Sequence, residues 1–215
     1  MEALRNQYLR LLQSVNFRFT RYLYSRINWQ DRLILIKGQR GVGKTTLLLQ
    51  YIKRELPDLS QTLYITLDDL YFSAHTLSDL VEEFALHDGR FLFIDEVHRY
   101  PGWSTEIKNI YDFYPDLKVV ATGSSAIAVQ EGQADLSRRA SVYHLHTLSL
   151  REYLAISQGL ERSPIRLTEL LQDHESIAWE MNQGFKPIAC FREFLKYGAY
   201  PFADAHDPLF YEKLK

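Results

Sequence analysis

Short apolar runs alternate with amphipathic stretches along the first two thirds of the chain. Five runs have the length and the β-branched or aromatic content of strands, at 33–37, 62–67, 90–96, 117–122 and 142–147. Apolar residues at helical spacing fill the intervals at about 44–55, 76–86 and 103–114. Because the centre of the run at 90–96 is wholly apolar, that strand is expected to be buried on both faces. This alternation predicts an α/β fold with a parallel sheet and right-handed crossovers.

The rest of the chain carries helical patterns. Apolar residues between positions 4 and 15 lie at helical spacing, and a second helical stretch at 22–27 precedes the first strand. Further helices are predicted at about 126–130, 149–158, 167–182 and 187–197. We therefore predict an α/β core with an N-terminal helix over residues 1–148 and a small helical lid over 149–215. The pattern from 207 to 215 is that of a helix just under way, so we expect the chain to continue into a further C-terminal domain.

The composition limits the expected binding partners and the expected cellular compartment of the protein. The 215 residues carry a net charge of −2, with 25 basic and 27 acidic side chains, so no overall field favours a nucleic acid. The single cysteine, Cys190, leaves no partner for an intramolecular disulfide. No secretory signal fits the start of the chain, and no run approaches the length of a membrane span. We therefore expect a cytoplasmic protein without a membrane partner.

The first predicted strand ends in a glycine-rich loop that leads into a helix. Residues 38–46 read G-Q-R-G-V-G-K-T-T, which contains the phosphate-binding pattern G-x-x-x-x-G-K-T in its required setting. Glycines let the backbone curl so that its amides face phosphate oxygens, and the helix N-terminus adds its positive dipole end. Lys44 is expected to reach the β- and γ-phosphates, and the Thr45 hydroxyl to ligate Mg²⁺. The candidate nucleotide-binding residues of this loop are Gly38, Gln39, Arg40, Gly41, Val42, Gly43, Lys44, Thr45 and Thr46.

Two carboxylates follow the buried third strand. Asp95, at the carboxyl end of that strand, is placed to hold the hydration shell of Mg²⁺. Glu96, one residue further out, is placed to orient and deprotonate an attacking water molecule. The pair therefore predicts hydrolysis by water rather than transfer to a metabolite. ATP is favoured over GTP as the nucleotide because the chain lacks Asn-Lys-x-Asp, the signature of guanine specificity.

These motifs and several later segments carry a family resemblance. Three segments together resemble the AAA+ superfamily of P-loop ATPases: 37–46, 93–99 (F-I-D-E-V-H-R) and 121–125 (A-T-G-S-S). Three others resemble, more narrowly, the prokaryotic AAA-domain ATPases that often carry a C-terminal domain of unknown function: 64–69 (Y-I-T-L-D-D), 148–154 (L-S-L-R-E-Y-L) and 195–201 (L-K-Y-G-A-Y-P). The resemblance spans about residues 30–202. It implies a three-layer P-loop NTPase with strand order 5-1-4-3-2, and ATP hydrolysis coupled to conformational change.

The resemblance also implies roles for residues after the fourth strand. Thr122 and Ser124 lie where such ATPases place a polar sensor of the γ-phosphate or the water, although a Thr-Gly-Ser turn is also ordinary loop chemistry. Arg138 and Arg139 lie where oligomeric ATPases place an arginine finger that reaches a neighbour's nucleotide. A solvated basic pair is the alternative for the two arginines. The implied partner is a second copy of the chain.

One further role falls in the lid. Related signalling ATPases place the proline of a Gly-x-Pro segment near the nucleotide base, and Pro201 matches that proline. Ala199 stands where the family usually has its second glycine, so the sequence departs from the family pattern at this turn. The lid is expected to sense the nucleotide and pass the change to the remainder of the chain.

Two other classes of function stay open. In the first, bound ATP sets an assembly state with slow or no hydrolysis, and the protein is a switch. In the second, the protein is a motor on nucleic acid, because residues 95–98 also spell the D-E-x-H of helicases. Such a helicase needs a second RecA-like domain, for which 215 residues leave no room. We therefore predict Mg²⁺-dependent ATP binding and hydrolysis.

Overall fold

The computed structural model of the chain describes residues 1–56, 58–124, 136 and 138–201. Its α-helices are α1 (Glu2–Ser14), α2 (Lys44–Glu55), α3 (Leu77–Leu86), α4 (Trp103–Phe113), α5 (Leu150–Gln158), α6 (Leu167–Met181) and α7 (Pro187–Tyr197). Its strands are β1 (Leu33–Lys37), β2 (Thr62–Thr66), β3 (Phe91–Asp95), β4 (Lys118–Gly123) and β5 (Ser141–His144). The helix predicted at 126–130 and the segment after 201 lie outside the described residues.

The predicted elements form with small shifts at their ends. β1 and α2 begin and end where the sequence pattern places them. β5 ends at His144, earlier than predicted, although the Leu145 amide still donates to the Lys37 carbonyl at 2.7 Å. The stretch predicted as helical at 22–27 forms a 3-10 helix, Tyr22–Arg26. Short connecting segments are often 3-10 helices, because the i→i+3 hydrogen bond encloses one residue fewer than the α-helical bond.

Within the described residues, the strands form one parallel sheet in the order β2-β3-β4-β1-β5. This is the order 5-1-4-3-2 counted from the other edge, so the predicted topology is confirmed. β1 lies between β4 and β5, and its Ile36 is level with Thr122. β3 lies between β2 and β4, with Asp95 level with Thr66. The carboxyl ends of β1, β3 and β4, which carry most of the predicted site residues, therefore share one edge of the sheet.

One face of the sheet is covered by α3 and α4. Side chains alternate along a strand, so Leu33 and Leu35 of β1 point to the same face, where they join the hydrophobic core. Phe84 of α3 and Ile107 of α4 pack into this core with at most 1% of their surface exposed. A capping box between Thr76 and Asp79 begins α3.

The opposite face of the sheet is covered by α2. Tyr51 of α2 approaches Phe93 of β3 with 6.1 Å between ring centroids. Ile52 of the same helix is fully buried. At the edge of the sheet, Tyr8 of α1 stacks on Tyr64 of β2 with 6.3 Å between ring centroids. Helices on both faces of a parallel sheet make the predicted three-layer α/β architecture.

The chain divides into two compact units, Met1–His146 and Thr147–Lys215. The predicted boundary between core and lid, after residue 148, lies two residues beyond this division. In the second unit, Tyr153 of α5 approaches Phe194 of α7 with 5.6 Å between ring centroids. None of the helices described combines the length and the apolarity that crossing a membrane requires.

Candidate active site

The loop after β1 has a backbone that requires glycine. Gly41 and Gly43 have φ angles of 80° and 95°, a region that side chains disfavour. The Gly38 amide donates to the Gly123 carbonyl at 3.1 Å, which fixes the start of the loop to β4. A Cβ atom on Gly38 would lie 2.4 Å from the carbonyl oxygen of Leu145. The glycines of the phosphate-binding pattern are therefore the residues that this fold of the loop demands.

Lys44 begins α2 and lies almost wholly inside the loop. Its side chain is 4% exposed, and its Nζ donates to the carbonyls of Gly38 and Gln39, each at 3.0 Å. Carbonyl dipoles stabilise an ammonium group but do not neutralise its charge. The N-terminus of α2 adds unpaired amides and a positive potential at the same place. Loop, ammonium and helix end together have the chemistry that suits an anion such as a phosphate group.

Asp95 is the point where the loop, β3 and β4 meet. It ends β3 and is 2% exposed. Its Oδ2 accepts the hydroxyls of Thr45 and Tyr64, the latter at 2.8 Å. Its Oδ1 accepts the hydroxyl of Thr122 and the amide of Glu96, the latter at 3.0 Å. Two donors on each oxygen offset the cost of burying the charge and fix the orientation of the carboxylate.

Tyr64 is a site residue that sequence reasoning misses. β2 and β3 pair so that Tyr64 is level with Phe93 and Thr66 is level with Asp95. Alternate residues share a face, so Tyr64 lies on the same side of the sheet as Asp95. Burial, followed by the charge of Asp95, raises the pKa of Tyr64, so its hydroxyl stays protonated and remains a donor. In the sequence alone, a tyrosine within an apolar strand is typical of the core.

Glu96 leaves the strand through a left-handed turn, with φ 53° and ψ 43°. A positive φ costs a residue other than glycine about 1 kcal/mol, so local contacts must hold it. The amide of Glu96 is held by Asp95, and its carboxylate Oε2 lies 3.3 Å from Nδ1 of His98. The Glu96 side chain is 28% exposed, whereas Asp95 is buried. The first carboxylate is therefore fixed inside and the second faces solvent.

Thr45 and Asp95 offer oxygen ligands to a hard divalent cation. The Thr45 hydroxyl and Oδ2 of Asp95 are hydrogen-bonded to each other, so both oxygens lie at one place. Mg²⁺ in phosphate sites is held by one or two carboxylates and completes its shell with phosphate and water. No group of three or more His, Cys, Asp or Glu side chains suited to a metal occurs among the residues described. A threonine hydroxyl beside a single carboxylate is a donor set that fits the Mg²⁺ of a nucleotide.

The other predicted binding residues fall in three places. Thr122 is fully buried against Asp95, while Ser124 follows the end of β4 and is half-buried. Val42, within the loop, is fully buried. Pro201 belongs to the second unit. The exposed residues of the loop are Gln39, Arg40, Gly41 and Thr46.

The two predicted finger arginines differ in their surroundings. Arg138 is exposed. Arg139 forms a bidentate ion pair with Asp112 of α4, in which both N···O distances are 3.0 Å. The donors to Asp95 in the described part of the chain do not include either arginine. A finger that acts on a neighbouring copy would not contact the site of its own chain, so this placement leaves the predicted role untested.

Similar proteins are known by sequence and by structure. An uncharacterized protein of Methanocaldococcus jannaschii is 30% identical over an alignment of 201 positions, and the match covers 85% of this chain and 41% of that protein. The chain thus spans about two fifths of the length of this relative. C. elegans PCH-2 has a TM-score of 0.43 at 20% identity, covering 72% of this chain and 43% of that chain. The S. cerevisiae Hsp104–ADP complex has a TM-score of 0.42 at 22% identity, covering 74% of this chain and 24% of that chain.

A family model matches the part of the chain that holds the site. Residues 30–154 match the AAA domain. They make up more than half of the 215 residues and include the glycine-rich loop, both strand-end carboxylates and both arginines. The match confirms the resemblance drawn from the motifs. The chain therefore belongs to the AAA-domain family.

Proposed function

We propose that the chain binds ATP with Mg²⁺ and hydrolyses it to ADP and phosphate. Family and fold support ATP binding by an AAA-type ATPase. The proposal of Mg²⁺-dependent hydrolysis rests on the arrangement of side chains around Asp95. The hydroxyl of Thr45 from the loop and that of Thr122 from β4 meet its two oxygens, and Glu96 follows it at the solvent edge.

The glycine-rich loop and α2 bind the phosphates in this proposal. Backbone amides of 38–46 and the N-terminus of α2 donate to phosphate oxygens. Lys44 exchanges its bonds to the Gly38 and Gln39 carbonyls for bonds to the β- and γ-phosphates. Its ammonium then neutralises the charge that develops on the bridging oxygen as the β–γ linkage breaks.

Thr45 and Asp95 hold the cation, and their neighbours hold them. Bound Mg²⁺ supplies charge neutralisation on the β- and γ-phosphate oxygens. Tyr64, Thr122 and the Glu96 amide keep the Asp95 carboxylate in one orientation. The lone pair of Oδ2 that accepts the Thr45 hydroxyl would turn to the cation or to one of its waters once Thr45 binds the cation.

Glu96 is the proposed base. Its carboxylate accepts a proton from a water molecule whose oxygen attacks the γ-phosphorus, while the bond from that phosphorus to the β–γ bridging oxygen breaks. In the absence of nucleotide, the Glu96 carboxylate lies 3.3 Å from Nδ1 of His98, near the strand end. Ser124 joins Thr122 in this proposal as a sensor of the γ-phosphate.

Coupling to conformational change is proposed to run through other copies and other parts of the chain. Arg138 is exposed and available to a neighbouring subunit, and Arg139 becomes available when its ion pair with Asp112 opens. Pro201 of the second unit would contact the base, and the second unit would act as the lid. If an arginine acts between copies, phosphate release per subunit rises with protein concentration.

Calorimetric titration of the wild-type protein tests the proposal. We expect ATP with Mg²⁺ to bind at one site per chain, GTP to bind more weakly, and EDTA to weaken ATP binding. The measurement is the dissociation constant of each nucleotide with and without Mg²⁺. Failure of ATP to bind to the folded chain would contradict the proposal, and equal binding of GTP would remove the specificity for ATP.

Tyr64→Phe is expected to raise the Mg²⁺ concentration that half-saturates ATP hydrolysis by about tenfold. Groups that orient a metal-binding carboxylate tune metal affinity by this order. The fold should persist, since one lost hydrogen bond costs about 1 kcal/mol. The measurement is phosphate release as a function of Mg²⁺ at a fixed ATP concentration.

Tyr24→Phe is the matched control for this variant. Tyr24 donates to Oε1 of Glu55 at 2.9 Å, so the change also removes a bond from tyrosine to carboxylate, but at the far end of α2. It should leave the Mg²⁺ requirement at the wild-type value. If Tyr64→Phe behaves like the control, Tyr64 has no part in holding Asp95 for the cation.

A further inference from the structure

An arginine that precedes the sheet is buried behind the glycine-rich loop. Arg21 lies between α1 and β1, and it is only 7% exposed. Its guanidinium donates to two backbone carbonyls that are far apart in sequence: that of Val42 in the loop, and that of His146 just after β5, the latter at 2.8 Å. A planar guanidinium can serve both acceptors at once, because its donors are fixed in a fork.

The carbonyl of Val42 is joined to the amide of Gly43 in one peptide plane. No peptide bond in the described residues is cis, so the C=O and N–H of this plane point in opposite directions. Holding the Val42 carbonyl on Arg21 therefore directs the Gly43 amide away from Arg21. Gly43 is the residue immediately before α2 and has a φ of 95°. Because glycine has wide conformational freedom, a contact to the Val42 carbonyl restricts the orientations open to this peptide plane.

The segment that carries Arg21 is itself attached to α2. The amide nitrogen of the Gln50 side chain donates to the carbonyls of Asn16 and Phe19, at 2.9 and 2.8 Å. Lys53 donates to the carbonyl of Val15 at 2.8 Å. Gln50 is buried, with 2% of its surface exposed, whereas the Lys53 bond lies at the surface. The helix thus holds the N-terminal segment, and the segment holds the loop at the start of the same helix.

We propose that Arg21 is a positioning residue for phosphate binding. It fixes the Val42–Gly43 peptide so that the loop presents its amides to the nucleotide before the nucleotide arrives, and it adds a buried positive charge behind the loop. The proposal rests on the proposed nucleotide site. It assigns to the N-terminal segment a role in the affinity for phosphate, independent of the base.

The test is calorimetric binding of Mg·ADP and of inorganic tripolyphosphate to the wild type, Arg21→Ala and Arg21→Lys. Losing a charge-assisted hydrogen bond and the order of the loop should weaken both ligands about tenfold in Arg21→Ala. Arg21→Lys keeps the positive charge but loses the planar donors of the guanidinium. Its affinity for both ligands should therefore lie between those of the wild type and Arg21→Ala. Tripolyphosphate has no base, so weaker binding of tripolyphosphate by Arg21→Ala shows that Arg21 acts on phosphate binding.

Arg18→Ala is the matched control, because Arg18 lies in the same segment and is exposed. It should bind both ligands as the wild type does. A purely structural role would lower the Tm of nucleotide-free Arg21→Ala and leave its affinities unchanged well below that Tm, which would overturn the inference. If Arg21→Ala does not fold, wild-type affinity in Arg21→Lys overturns it instead. If the wild type binds neither ligand, the proposed function fails and this inference fails with it.

Discussion

Replacing Lys44 by alanine is expected to weaken ATP binding by about 100-fold or more and to remove phosphate release. The ammonium lies inside the loop and bonds only to carbonyls in the contacts described, so its charge is available to phosphate. Charge-assisted hydrogen bonds contribute about 1.5–3 kcal/mol each, and two phosphates would share this group. The measurement is calorimetric titration of ATP with Mg²⁺ into the variant.

The matched control for this change is Lys108→Ala. Lys108 lies on α4, on the other side of the sheet from α2, and is part-exposed. It should bind ATP with wild-type affinity. Equal affinity of Lys44→Ala and the wild type would mean that ATP binds elsewhere, and the assignment of the loop as the phosphate site would be wrong.

Glu96→Gln is expected to retain ATP binding and to lower the rate of phosphate release by about 100-fold or more. A general base contributes about 10²–10⁴ to the rate of such a step. Glutamine keeps the shape of the side chain but cannot take the proton. The left-handed backbone at this position is held by the Asp95 carboxylate, which the substitution leaves in place. Affinity for ATP should therefore change by less than about threefold.

Glu82→Gln provides the matched control for loss of a carboxylate. Glu82 is exposed on α3, which covers the face of the sheet opposite α2. Its phosphate release should equal that of the wild type. Comparing the phosphate-release rates of Glu96→Gln and Glu82→Gln separates loss of the base from the general effect of removing one negative charge.

The sequence predicts the parts of the site that are local in the chain. The loop at 38–46 and the pair Asp95 and Glu96 each combine a strand end with the residue types that its chemistry requires, so spacing alone reveals them. The order of strands also follows from the family resemblance and is confirmed by the pairing of β1 with β4 and β5. The strand order and the positions of these motifs at strand ends are predictable because each depends on neighbours in sequence or on a topology common to a whole fold class. The chemical roles of the loop, Asp95 and Glu96 stay predictions.

The sequence does not predict the contacts that join distant segments. Tyr64 reaches Asp95 only because β2 pairs with β3 in one register, and a slip of one residue would turn it to the other face. Arg21 reaches Val42 and His146 because the N-terminal segment folds back along α2. Neither Tyr64 nor Arg21 belongs to a sequence pattern whose spacing indicates such a contact. Such contacts depend on tertiary packing, which periodicity does not encode.

We propose that Asp95 and Glu96 complete a hydrolytic site on the glycine-rich loop. Multiple-turnover phosphate release from ATP and Mg²⁺, measured side by side on the wild type, Glu96→Gln and Lys44→Ala, tests it most directly. We predict sustained release by the wild type, release at least about 100-fold slower by Glu96→Gln with ATP still bound, and none by Lys44→Ala. Equal rates in the wild type and Glu96→Gln would contradict the claim. The chain would then be an ATP-dependent switch whose bound nucleotide sets a state of assembly.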